Sequence, residues 1–290
     1  MVLHSFQRST RSTSPWMRSS SIIPAMNMLP DRTDHAERPS RRRPRRLTSR
    51  WLPLDTHSSS ARITVLRHGG HERPIIHRGS KHSRFRFPSI KTGTTQLGEG
   101  KGEEWLAYLN EIWTDVADYE CHPYLFEFTG GDGPFSYRPD SVRYFRDGRI
   151  EVLEVKRSPD DLRDADYRER LAEVRELCRL NGWGFRVIYL PEILGPQARQ
   201  NNVISLFTRR SMELNRTEEQ IAGRLASKGT QIEWGDLRDR LAPTDRLHGD
   251  AVIERLLARG MLSTNLDVRF TPNTVLTPTR PFQGKSEIRL

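Results

Sequence analysis

The chain has 290 residues, of which 35% are hydrophobic, and a formal net charge of +10. That length suits one large domain or two modest ones, and no run of 18 apolar residues is present to span a membrane. Two cysteines, Cys121 and Cys178, exclude a disulfide framework and a CxxC metal pair, and point to a reducing, cytoplasmic setting.

The charge is uneven. Residues 1–86 carry 18 Lys/Arg against 5 Asp/Glu, whereas residues 87–290 carry 29 against 32. The densest block is Arg41, Arg42, Arg43, Arg45 and Arg46. A basic arm on a near-neutral body suits attraction to a polyanion, and the same composition also describes a solvated tail. Arg8, Arg11 and Arg18, with no acid before Asp31, fit either a transit peptide or an over-extended start, with Met26 or Met28 expected as the true first residue. Residues 1–80 read as mostly unstructured, with one strand-like run at Ile63–Leu66.

In chain order, Glu103–Trp113 places Trp105, Leu106, Leu109, Ile112 and Trp113 on one helical face. Tyr124–Phe128 reads as a strand, and a Gly- and Pro-rich turn follows at 130–134. Tyr137–Phe145 and Ile150–Lys156 read as two more strands, joined by a hairpin at Asp147-Gly148. A charged amphipathic helix over 160–180, a turn at Asn181-Gly182 and a strand at Phe185–Leu190 complete the unit. The order predicts an α/β fold: a helix, three antiparallel strands, a helix and a returning strand beside the hairpin. Beyond residue 196, helices at 217–227, 233–241 and 247–259 and a hairpin at 261–268 and 273–277 suggest a winged helix. The last ten residues read as frayed.

The residues suited to chemistry are Pro139-Asp140 and Glu154-Val155-Lys156. Alternation along a strand sends Glu154 and Lys156 to one face and Val155 to the other. Hairpin pairing then brings Asp140 close to Glu154. Two carboxylates and an ammonium suit phosphodiester hydrolysis with Mg²⁺, for which Mn²⁺ can substitute. Lys156 has two uses: to orient or deprotonate the attacking water, or to neutralise transition-state charge. A charged Glu-x-Lys strand face is common in itself, but Val152, Leu153 and Val155 make this strand central, where an ionised Glu154 needs a reason. Pro139 stands at a strand start, where no ladder donor is required. Upstream, Glu99 and Glu103 stand at i and i+4, whereas Glu104 turns away. Spacing alone favours their complementing the helix N-terminus.

Several stretches resemble TnsA-like transposon endonucleases of the PD-(D/E)xK class. Phe87-Pro88-Ser89-Ile90-Lys91-Thr92-Gly93 resembles the family's FPSxKxG, and Glu99 through Glu103 its ES-x-x-E. The run from Val116 to Pro123 resembles V-x-x-Y-x-x-Q-P, Tyr137–Asp140 matches Y-x-P-D, and Gly148 with Glu154-Val155-Lys156 matches dG…E-V-K. The resemblance covers roughly residues 84–190. It implies a restriction-endonuclease-like mixed sheet flanked by helices over 84–195 and a winged-helix-like domain over 196–280; composition adds a disordered basic arm over 1–83 and a tail at 281–290. Glu103, Asp140, Glu154 and Lys156 take catalytic roles. Glu103, Asp140, Glu154 and the Val155 carbonyl take metal-side positions, and Glu99 is supporting.

The implied activity nicks one strand at transposon ends in a bacterial, nucleoid-associated setting. The implied partners are double-stranded DNA, a DDE-type transposase and an AAA+ ATPase, and no membrane. A restriction or repair nuclease of the same fold and a silent DNA-binding assembly module are the competing readings. Gly100 stands where the family has Ser, Gly102 where it has a large apolar residue, and His122 where it has Gln. Glycines at 98, 100 and 102 weaken the helix start and the placement of Glu103.

Overall fold

The computed structural model describes residues 46–66, 83–131 and 133–279. The Arg41–Arg45 block, both alternative starts and the last ten residues lie outside the described residues. Strands β1 (Arg46–Thr48), β2 (Leu52–Pro53) and β3 (Ser58–Leu66) come first, then the hairpin of β4 (Arg84–Pro88) and β5 (Thr95–Glu99). Helix α1 (Gly100–Ile112) is followed by β6 (Val116–Cys121), β7 (Tyr124–Gly130), β8 (Phe135–Tyr137), β9 (Ser141–Phe145) and β10 (Ile150–Lys156). A 3-10 turn at Pro159–Leu162 leads to α2 (Ala165–Leu180), β11 (Gly184–Tyr189), α3 (Leu190–Leu194) and α4 (Gln197–Arg209). The chain continues through α5 (Arg216–Lys228), β12 (Ile232–Glu233), α6 (Trp234–Leu241), α7 (Arg246–Ala258), β13 (Leu262–Ser263) and β14 (Val275–Pro278).

The fold is mixed α/β. The central sheet has the order β11-β10-β9-β6, with β10 parallel to β11 and antiparallel to β9. Both faces are covered, as a strand with one parallel neighbour in a buried sheet requires. Val152 of β10 packs with Leu171, Val174 and Leu177 of α2, whereas Leu153 packs with Leu106 of α1 and Ile188. Glu154 and Lys156 therefore share the α2 face with Val152, and Val155 shares the α1 face with Leu153. At the hairpin turn Gly148 adopts φ 88, as the Asp-Gly signal anticipates.

Two expectations need correction. The strand at 124–130 does not join the hairpin; it pairs with β3 and β8 in a second sheet. Its place beside β9 is taken by β6. Val-Ala-Asp-Tyr-Glu-Cys hides this strand, because a register shift between Val116 and Asp118 breaks the period-two pattern. The run 137–145 is likewise split at residues 138–140, where the chain leaves one sheet for the other. An unstructured arm through residue 83 does not hold for 46–66. There β3 buries Ala61, Ile63 and Val65 against Tyr124, Phe126 and Phe128. Its Ser58-Ser59-Ser60 start reads as loop; the aromatic partner strand supplies the apolar surface that this start lacks.

Helix α1 joins the parts. Its Leu109 and Ile112 share a core with Val203 and Leu206 of α4 and with Trp234, Leu237, Val252 and Leu256 of the C-terminal unit. That unit comprises three helices and an antiparallel sheet of order β12-β14-β13. The Phe-Pro-Ser-Ile-Lys stretch fastens the helix. Buried Glu111 accepts from Ser89 Oγ (2.5 Å), Ile90 N (2.8 Å) and Tyr119 OH (2.9 Å). Lys91 Nζ donates to the carbonyls of Asn110, Trp113 and Val116 at 2.6–2.8 Å, satisfying groups at the helix C-terminus. Among the described residues, no helix is long and apolar enough to cross a membrane.

Gly102 lies where α1 meets β10: a Cβ there would come 2.8 Å from Val155 Cγ1. Helix propensity alone favours Gly102→Ala by about 1 kcal/mol. The close approach reverses that sign, since a β-branched neighbour yields little, and overpacking costs about 1–3 kcal/mol. Urea denaturation of Gly102→Ala is expected to show net destabilisation; a stabilised variant would show that α1 can move away from the sheet.

Candidate active site

The site begins with Asp140, at the break between β8 and β9. Its N–H donates to Leu153 O (3.1 Å), its carbonyl accepts from His122 N (3.0 Å), and its Oδ2 accepts from Val155 N (2.7 Å). One residue thus ties β9 to β10 and to the β6–β7 turn. Pro139 precedes it without a donor to satisfy. The Asp140 carboxyl is held well above the usual carboxylate range, first by burial and then by the charges of Glu154 and Glu103. The Val155 amide and Lys156 offset this only in part.

From the α1 side comes Glu103. Its Oε2 accepts from the backbone N–H of Glu99 (2.9 Å), at the helix N-cap, and faces His122 Nε2 at 2.9 Å. Gly98 makes room for it: a Cβ there would stand 2.8 Å from Glu103 Oε2 and 2.3 Å from the Phe85 ring. Gly100, at φ 80, starts the helix in the left-handed region. The glycines that weaken the helix by propensity are thus what lets the Glu103 carboxylate sit here. His122, 1% exposed, closes the group. Ligand-capable atoms of Glu103, His122 and Asp140 all lie within 4.8 Å of one another.

On the opposite face of β10, Glu154 is 4% exposed and held by three donors. Tyr137 OH binds its Oε2, while Tyr167 OH and Lys156 Nζ each reach Oε1 at 2.5 Å. Burial, then the charge of Glu154, raises both tyrosine pKa values, so both remain donors at neutral pH. Burial works to lower the Lys156 pKa, but the charge and hydrogen bond of Glu154 outweigh it, and the net direction is upward. Lys156 also lies over the Tyr167 ring, 4.8 Å from its centroid.

Of the anticipated residues, the structure brings Glu103 and Asp140 together and sets Glu154 and Lys156 as a pair around the strand edge. Val155 meets Asp140 through its amide nitrogen. Glu99 is extended (φ −125, ψ 138) and lies before the helix, so the i,i+4 relation to Glu103 is not made. Its carboxylate is 4.0 Å from Arg84 Nε. Glu104 accepts from Tyr108 OH (2.7 Å). Sequence reasoning treated His122 only as a departure and missed Tyr137 and Tyr167 as partners of Glu154. Tyr167 stands four and seven residues before Leu171 and Val174, a spacing that marks the buried face of α2.

A cavity of about 930 Å³ lies elsewhere, lined by Leu109, Ile112, Arg143, Arg186, Leu257 and Asp267 among others, and borders none of these groups. The converging carboxylates, with the raised pKa of Asp140, mark the site better than the volume does. No family model matches the chain, and no curated protein is similar to it.

Because the folded-state pKa of Asp140 stands above its unfolded value, its contribution to stability is best below the unfolded value and declines as pH rises towards the folded one. In EDTA, Asp140→Asn is therefore expected to gain in melting temperature on the wild type between about pH 4 and pH 7. A difference that stays flat over that range would mean the carboxylate is not crowded.

Proposed function

We propose that the chain is a metal-dependent DNA endonuclease with a restriction-endonuclease-like core. The convergence of Glu103, His122 and Asp140 carries this reading. The donor set fits a divalent cation: two carboxylates are pressed together against the preference of Asp140 to stay protonated, a conflict that a bound cation relieves. Glu103, His122 and Asp140 would hold the ion, which when bound polarises a phosphoryl oxygen and lowers the pKa of a bound water.

The chain's own groups have separable tasks. Asp140 is aimed by the Val155 amide, and Glu103 by the Glu99 amide. Lys156, kept as an ammonium by Glu154, serves to neutralise charge developing on the phosphate; its raised pKa argues against work as a base. Glu154, with two tyrosines behind it, positions Lys156. The order α1, β6, β9, β10, α2, β11, with the last strand parallel to β10, supports the restriction-endonuclease-like assignment.

The finer reading is a TnsA-like subunit that nicks one strand at transposon ends beside a DDE-type transposase and an AAA+ ATPase. It rests on the motif spacing described above. The C-terminal succession helix, strand, helix, helix, strand, strand, with β14 between β12 and β13, supports a winged helix. Helix α7 is exposed mainly over its first turn, Arg246–His248, so groove reading through it is confined to that turn.

Nicking of a labelled duplex bearing the element's ends, with Mg²⁺ or Mn²⁺ and the neighbouring transposase, tests the reading. Wild type is expected to cut one strand, and Asp140→Asn and Glu103→Gln to lose activity by at least about 10²–10³-fold. Cleavage retained in Asp140→Asn would sink the assigned site.

A further inference from the structure

We propose that His122 is a direct ligand of the cation site and that its imidazole makes the site select Mn²⁺ over Mg²⁺. The inference rests on the metal-dependent reading above and deepens it, because the related motif carries Gln at this position, an oxygen donor. Three observations converge on His122. Its side chain is 1% exposed, so the ring is committed to the interior rather than to water. Its Nε2 stands 2.9 Å from Glu103 Oε2, and its backbone N–H is bonded to the Asp140 carbonyl at 3.0 Å. Its backbone also takes φ 51, a left-handed conformation unusual for a side-chain-bearing residue but more open to His, Asn and Asp than to most.

The turn into Pro123 and β7 thus places the imidazole beside the two carboxylates. Its ligand-capable atom lies within 4.8 Å of theirs. Mg²⁺ demands near-octahedral oxygen ligation and sheds its waters reluctantly. Mn²⁺ accepts carboxylate and imidazole together, and a nitrogen donor widens its advantage over Mg²⁺. An all-oxygen trio, as with Gln at 122, removes that increment.

The test uses the full chain without DNA. Mn²⁺ binding is read from loss of the free-ion EPR signal, with Mg²⁺ as competitor, and the bound ion is examined for electron spin-echo modulation from ¹⁴N. Wild type is expected to show the nitrogen modulation. His122→Gln and His122→Asn, the second chosen because Asn suits the left-handed backbone, are expected to lose it. Their Mn²⁺/Mg²⁺ affinity ratio should fall by about tenfold or more. Thermal melts in EDTA show whether each variant is folded, and the wild-type modulation needs no variant at all. Absence of ¹⁴N modulation in wild type, or a ratio unchanged in folded His122→Asn, would overturn the proposal. A protein with the modulation and the ratio that cuts no DNA would sink the endonuclease reading and leave this inference standing. Cleavage without nitrogen modulation would do the reverse.

Discussion

The hydrogen bond from the Val155 amide to Asp140 Oδ2 is the constraint on which the site depends. It forms where β9 has not yet begun and β10 is about to end, so one carboxylate stands at the open edge of a covered sheet. Bonds from His122 N in the β6–β7 turn and to Leu153 O, also in β10, hold the same residue at two further points. With Asp140 so fixed, Glu103 from α1 and His122 from the β6–β7 turn meet it on one side. Glu154 and Lys156 lie on the other, set there by strand alternation. The cost is electrostatic: carboxylates are crowded where burial already disfavours charge. Such crowding is of little use to a structural core and suits a site built around a cation.

Helix α1 turns this local arrangement into a property of the whole described unit. Its N-terminal turn carries Glu103 and touches β10 through Gly102, and its C-terminal half enters the core of the C-terminal unit. Glu111 and Lys91 anchor its far end to the β4–β5 hairpin, whose Phe85 and Phe87 in β4 pack with Ala107 and Tyr119. A displacement of the C-terminal unit that shifts α1 along its axis would therefore move Glu103 relative to Asp140. The same helix links the C-terminal unit with the cluster of Glu103, His122 and Asp140.

Much of the hairpin and its carboxylates was legible in the sequence. Asp147-Gly148 marks the turn, the apolar run around Glu154 marks a central strand, and the Glu-x-Lys alternation places both side chains on one face. What escaped had physical reasons. Only the second half of β3, Ile63–Leu66, was legible, because its first half begins in serines and pairs with β7, a partner more than 50 residues away in sequence; β6 carries a bulge that breaks the alternation. Glycines 98, 100 and 102 read as helix-weakening because propensity counts only the helix; Gly98 and Gly102 allow close approach to Phe85, Glu103 and Val155, and Gly100 takes the left-handed backbone at the helix start. His122 stood out only as a substitution, since its nearness to Glu103 depends on a left-handed turn that no local pattern announces.

The most direct test of the central claim is anomalous diffraction from a crystal of the full chain soaked in Mn²⁺. A cation held by these residues gives one strong peak within about 2.5 Å of Glu103 and Asp140 carboxylate oxygens and of a His122 ring nitrogen. A fully soaked crystal with no peak there, and with the Glu103–His122 contact intact, would contradict the claim.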